Sequence, residues 1–165
     1  MRVLVCPDKF AGTLSAVAAA QAIATGWSRG RPRDDVLMMP LSDGGPGFVD
    51  VLHTNLGGVL HDVTVEGPLG NPVAGHWLEH DAVAYLEAAQ ANGLHLVAPE
   101  QRDVWRASTT GVGRMIADAL PLPVVIGLGG SATNDGGRGA VEVLDRVPEL
   151  VIATDVDCPL LGPNG

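Results

Sequence analysis

The sequence predicts a mixed α/β protein in two parts: a doubly wound unit over residues 1–58 and a second α/β unit over 59–165. Three observations predict it. Two short apolar runs, residues 3–6 and 36–39, each end at a proline and lead through a polar loop into apolar residues at helical spacing. Past residue 59 the pattern changes to partial alternation, broken by the turn signal Gly67-Pro68-Leu69-Gly70-Asn71-Pro72. A third apolar run, residues 122–127, opens into Gly129-Gly130-Ser131-Ala132-Thr133-Asn134-Asp135-Gly136-Gly137.

The elements follow in order. Val3-Leu4-Val5-Cys6, ended by Pro7, suits a buried parallel strand. Val17, Ala20, Ile23, Ala24 and Trp27 recur at spacings of three and four, so a helix follows, capped by Thr13 or Ser15 and closed by Gly30 and Pro32. A second strand over 36–39 precedes the loop Ser42-Asp43-Gly44-Gly45-Pro46-Gly47 and a helix carrying Phe48, Val51 and Leu52, which Gly57-Gly58 ends. In the second part, residues 59–65, 73–78 and 82–86 read as antiparallel strands, and 87–94 as a short helix closed by Asn92-Gly93. After a charged loop over 99–106 come a helix over 114–120, the strand over 122–127, the glycine loop, a helix near 138–145 and a strand over 149–153. The tail from Asp155 is loop-like.

Composition narrows the function. At 165 residues, 46% hydrophobic, with a mean hydropathy of +0.22, the chain can bury a core, and with 4% aromatics that core is aliphatic. A net charge of −9 argues against a nucleic-acid or anionic-membrane partner. It also means that any site for an anionic ligand is built locally, from backbone amides, arginines or Lys9, the only lysine. Cys6 and Cys158 make no disulfide framework, no apolar run approaches the ~18 residues of a membrane span, and the N-terminus has no signal-peptide pattern, so reduced thiols in a cytoplasm are expected.

Chemistry concentrates in three loops that follow apolar strands, at 7–13, 41–47 and 127–137, where α/β sheets place their ligands. Each holds an aspartate: Asp8, Asp43 and Asp135. Gly129 and Gly130 let backbone N–H groups approach an anion, and Ser131, Thr133 and Asn134 add donors. Lys9 is the natural point charge for a phosphate, and Asp43 and Asp135 suit a general base or a Mg²⁺ ligand. The plainer alternatives are a solvated lysine and Asx turns. Asp155 and Asp157 alternate in an extended segment and form a second carboxylate pair suited to Mg²⁺, with Glu87 either serving the same site or lying on the surface. Ser108-Thr109-Thr110-Gly111 is an anion site at a helix start or an ordinary N-cap.

Other patterns are weak. Gly127-Leu128-Gly129-Gly130-Ser131-Ala132 matches G-x-G-x-x-A, yet the loop runs on past it instead of opening a helix, so nicotinamide binding is disfavoured. No P-loop motif is present. His76-Trp77-Leu78-Glu79-His80 matches H-x-x-E-H, but it reads as a strand and not as the helix that zinc pattern needs.

Taken together these loops resemble the bacterial glycerate kinase family that carries neither a P-loop nor a sugar-kinase signature. The matching segments are Pro7-Asp8-Lys9-Phe10-Ala11-Gly12-Thr13-Leu14-Ser15-Ala16, Leu41-Ser42-Asp43-Gly44-Gly45, Val65-Glu66-Gly67-Pro68-Leu69-Gly70, residues 127–137 and residues 155–165. The resemblance implies an incomplete flavodoxin-like lobe over 1–58 and a second α/β lobe over 59–165 carrying the glycine loop, with the site in the cleft between. It implies transfer of the γ-phosphoryl group of ATP to D-glycerate, with Mg²⁺, giving 2- or 3-phosphoglycerate. The resemblance supports these loops and assigns no individual roles; from the loop chemistry Lys9, Asp43 and Asp135 are the expected catalytic residues. Asp8, Gly129, Gly130, Ser131, Thr133 and Asn134 are expected to bind substrate or phosphate, and Asp155 and Asp157 the metal. Against the family pattern, Ala11 stands where a lysine is common and Cys158 where an asparagine is common, the segment between Gly137 and Asp155 is short, and a second half is missing. The chain is therefore expected to be a partial enzyme, either an inactive or binding-only fragment or one whose exposed sheet edges a homodimer covers.

Overall fold

The computed structural model describes residues 1–157, 159 and 161–163; Cys158 and part of the closing motif at 159–165 lie outside the described residues. Two sheets form. In the first, β1 (Arg2–Val5) pairs in parallel with β2 (Asp35–Met38), and α1 (Ala16–Gly30) crosses between them. Of the two expected caps, Thr13 and Ser15, it is Ser15 that caps α1, its Oγ accepting from the Ala18 N–H at 3.2 Å.

The second sheet has five strands in the order β3 (Val59–Glu66), β4 (Pro72–His80), β5 (Val83–Glu87), β6 (Val124–Gly127) and β7 (Leu150–Ala153). The first three are antiparallel, and β5, β6 and β7 run parallel. The crossover from β5 to β6 contains α3 (Ala89–Asn92) and α4 (Thr110–Ala119), and α5 (Arg138–Glu142) precedes β7. H-x-x-E-H lies within β4, a strand as read. The main core lies beneath α4, where Met115 and Ile116 pack with Trp77, Leu86, Val124 and Ile126. A smaller cluster of Phe48, Val49 and Leu78 joins α2 (Phe48–Leu56) to the same sheet.

Two expectations need correction. The first strand pair is only partly buried: Val5 is 5% exposed, but Leu4 is 58% and Leu37 50% exposed, because no further strand flanks the two-stranded sheet among the described residues. The helix expected from Arg114 begins four residues earlier, at Thr110, and takes in Gly111 and Gly113, whose low helix propensity is offset by close packing: a Cβ on Gly111 would meet the Glu66 carbonyl oxygen, and one on Gly113 would lie 2.5 Å from that of Ala140. Among the described residues no helix is long and apolar enough to cross a membrane.

Candidate active site

The loops after β2 and β6 and the end of β7 meet through glycine. The Gly129 N–H donates to the Gly44 carbonyl at 3.0 Å, and the Leu128 N–H to that of Ala153 at 3.2 Å. A Cβ on Gly44 would lie 2.5 Å from the Ala153 oxygen, and one on Gly129 2.6 Å from the Gly45 Cα. Only glycine admits backbones this close.

The loop after β1 lays Lys9 against this junction. Its Nζ lies 2.7 Å from both Asp43 carboxylate oxygens and 3.9 Å from Asp8 Oδ1, and a Cβ on Gly45 would stand 3.4 Å from it. Asp8 Oδ1 also accepts from the Lys9 N–H at 2.6 Å. The Lys9 ammonium holds the Asp43 carboxyl below the ordinary carboxylate range against the opposing effect of burial, and the Gly45 N–H, 2.8 Å from Oδ1, assists. The structure thus brings together Asp8, Lys9 and Asp43 beside Gly129.

The second half of the glycine loop is tied inward. Asp135 Oδ2 accepts from the Thr109 N–H and hydroxyl at 2.9 Å each and from the Gly139 N–H at 3.1 Å, while Oδ1 accepts from the Gly137 N–H at 3.2 Å. Burial pushes this carboxyl up, but the donors on Thr109, Gly139 and Gly137 outweigh it, and the group sits below its ordinary value. Thr109 Oγ1 in turn accepts from the Ala140 N–H at 3.0 Å. Asp135 therefore stitches the starts of α4 and α5 together, and Thr109 makes no side-chain cap of its own. The G-x-G-x-x-A match opens no helix, since α5 begins at Arg138.

Two polar residues carry more than their sequence reading. Glu87, read as a metal ligand or a surface group, is 4% exposed. Its Oε2 accepts from the Gly47 and Val49 N–H groups at 3.0 and 3.4 Å, closing the start of α2, and burial pushes its carboxyl up. Asn92, read as a helix stop, is 5% exposed and donates from Nδ2 to Ser131 Oγ and Thr133 Oγ1 at 3.1 Å each. The only sequence signal for either was a polar residue at the end of an apolar element. Asp155 and Asp157 stand exposed past β7, and among the described residues no three His, Cys, Asp or Glu side chains gather as a metal site.

Comparison with known proteins follows the same loops. The model of the glycerate kinase family matches residues 3–147. The chain belongs to the glycerate kinase family. It is 34% identical to a Bacillus subtilis glycerate kinase over 203 positions that take in all of this chain and 53% of that one. It is 38% identical to the Escherichia coli glycerate 2-kinase over 87% of this chain and 39% of that one. A Salmonella typhimurium crystal structure assigned to glycerate kinase 2 superposes with a TM-score of 0.82 at 32% identity, over all of this chain and 54% of that one. This family member thus spans about half the length of the relatives it matches.

Proposed function

We propose that the chain carries the acceptor and phosphate loops of an ATP-dependent glycerate kinase, which phosphorylates a hydroxyl of D-glycerate to give 2- or 3-phosphoglycerate. The observation that supports it is the Lys9–Asp43 pair, with Nζ 2.7 Å from both carboxylate oxygens, seated on the glycine junction of Gly45 and Gly129. Both partners are partly exposed, so an anionic ligand can take the ammonium and release the carboxylate. Asp43 then accepts the proton of the attacking hydroxyl, the new O–P bond forms, and the bond to the ADP oxygen breaks. Lys9 stays on the anionic oxygens, and the Gly130 N–H with the Thr133 hydroxyl and the Asn134 amide supplies donors for the rest of the charge, the Gly129 N–H being held by the Gly44 carbonyl. Asp135, with four donors on it, keeps the loop in shape and moves no proton in this scheme.

Kinases of this class use Mg²⁺ with the nucleotide. Among the described residues no three carboxylate, His or Cys side chains gather to hold it, and Asp135 is engaged by four donors. No step is therefore routed through the ion. We place the reaction in the cytoplasm, with a small-molecule acid as partner; a homodimer is a second role for the exposed strand pair.

Release of ADP from ATP and D-glycerate by the purified chain tests the proposal. Asp43→Asn and Lys9→Met are expected to lower it by about 10²-fold or more. Unchanged turnover in both would sink the assigned roles. Because the chain spans about half of its relatives, binding without turnover is the second reading. Calorimetric binding of D-glycerate or ATP with no ADP formed would select it.

A further inference from the structure

The hydroxyl pair of the glycine loop has a hydrogen-bond count that admits one solution. Ser131 Oγ and Thr133 Oγ1 lie 2.7 Å apart, each 3.1 Å from Asn92 Nδ2, and the Thr133 N–H reaches Ser131 Oγ at 3.0 Å. A hydroxyl has one proton and two lone pairs. Ser131 Oγ accepts from Asn92 and from the Thr133 N–H, so both its lone pairs are occupied and its proton goes to Thr133. Thr133 Oγ1 accepts from Asn92 and from Ser131, so its lone pairs are occupied as well. One group remains: the Thr133 O–H, which can only donate.

The opposite amide orientation does not work. With Oδ1 facing the hydroxyls, three contacts would need hydroxyl protons and only two exist. The amide as placed satisfies all four contacts. It leaves Asn92 Oδ1 as a buried acceptor without a partner, on a side chain that is 95% buried and lines a cavity of about 520 Å³ shared with Thr133, Asn134 and Asp135. On its other side Thr133 lines a cavity of about 170 Å³ with Ser131, Asn134, Arg102 and Asp103. Arg102 makes no ion pair among the described residues, whereas Asp103 Oδ1 accepts from the Trp105 and Arg106 N–H groups at 3.0 and 3.2 Å. Arg102, which lines the same cavity as this hydroxyl, is therefore available to a ligand.

We propose that Asn92 is a positioning residue that makes the Thr133 hydroxyl a dedicated donor to an anionic oxygen, either the carboxylate of the acid substrate or a phosphate of the nucleotide. The proposal rests on the kinase reading above and adds to it a selection rule. A ligand atom at Thr133 must accept, so a carboxylate or phosphate oxygen fits, and a group offering only a proton is rejected because an O–H with filled lone pairs cannot receive one.

Two measurements on the purified chain test it. In the free protein the Asn92 side-chain amide donates to the hydroxyl pair on a residue that is 5% exposed, so its exchange in ¹H–¹⁵N spectra is expected to be slower than that of the exposed Asn134. Exchange as fast as that of Asn134 would overturn the relay. D-glycerate, inorganic phosphate, ATP and the neutral analogue glycerol are then titrated separately. D-glycerate, or phosphate and ATP, is expected to shift the Thr133 and Asn92 amide signals, and which one does so identifies the anion. Thr133→Val is expected to weaken that ligand by about tenfold or more, and Thr133→Ser to restore it to within about twofold. Glycerol binding as tightly as glycerate would overturn the anion assignment. Equal affinity in Thr133→Val would overturn the proposal and leave the kinase reading standing. No binding of any of the three anions by the unaltered chain would overturn both.

Discussion

Asp43-Gly44-Gly45 and Asp135-Gly136-Gly137 are the same tripeptide in two loops, and the molecule holds the two aspartates by different partners. Both aspartates accept the N–H two residues on, at 2.8 Å in the first loop and 3.2 Å in the second. Both loops end on a left-handed glycine at a helix start, Gly47 before α2 and Gly137 before α5. The difference lies in the second oxygen. In Asp43 it meets the ammonium of a lysine on a long flexible stem, and in Asp135 it meets fixed donors on Thr109 and Gly139. A partner on a flexible stem leaves a carboxylate able to exchange partners, whereas three rigid ones make it a clasp.

The largest effect that can break this comparison is on stability. Asp135→Ala leaves the N–H groups of Thr109, Gly137 and Gly139 and the Thr109 hydroxyl without their acceptor and is expected to cost about 3–5 kcal/mol. Asp43→Ala removes a pair in which Lys9 can return to water and is expected to cost under about 1 kcal/mol. Urea unfolding of the two variants decides it. Equal losses would mean that the two loops are held alike and that the division drawn between them is wrong. Acid should act the same way on both groups: their folded pKa values are lowered, so the stability they contribute is present above the ordinary carboxylate range and is lost as pH falls below it.

The next effect concerns the glycines. Gly44 has φ +85° and its Cβ would meet the Ala153 oxygen at 2.5 Å, so Gly44→Ala combines strain with a backbone collision and is expected to cost about 2–4 kcal/mol. Gly12 has φ +74° with nothing within 4 Å of its Cβ, so Gly12→Ala is expected to cost only about 1 kcal/mol. Chemical denaturation of the pair separates the close approach from the positive φ. Matching values would show that the junction of the loops after β2 and β6 yields easily and does not hold Lys9 in place.

Much of this was legible in the sequence, because local chemistry marks element ends. Prolines after residues 6 and 39 bound β1 and β2, Ser15 caps α1, and Gly57 ends α2. The loops that carry Lys9, Asp43 and Asp135 were legible too, being the polar stretches that follow apolar strands. Partnership was not. Lys9 and Asp43 are 34 residues apart and meet because β1 and β2 pair in register, Arg2 opposite Asp35. Asn92 and Thr133 are 41 apart and Glu87 and Gly47 40, and no local pattern announces either contact. The exposure of Leu4 and Leu37 was equally hidden, since an apolar run does not reveal how many strands will flank it.

Glu87 offers the smallest and most discriminating effect, because it is a carboxylate of a third kind, buried under the loop that Asp43 begins. Burial raises its folded pKa above the unfolded value of roughly 4.3. A raised acid favours the folded state while it is protonated. Its contribution is thus fully present below the unfolded value and is lost as pH rises through the folded one. Glu87→Gln keeps an oxygen that can accept from Gly47 and Val49 and removes the charge. Melting temperatures should therefore coincide for the two proteins near pH 4, and that of the variant should rise above that of the wild type as pH rises toward neutrality. A difference independent of pH would mean that Glu87 is ionised in both states at little cost. The start of α2 would then be held by charge at the helix N-terminus, which would put Glu87 beside Asp43 among the ionised groups of that loop instead of with the buried scaffold.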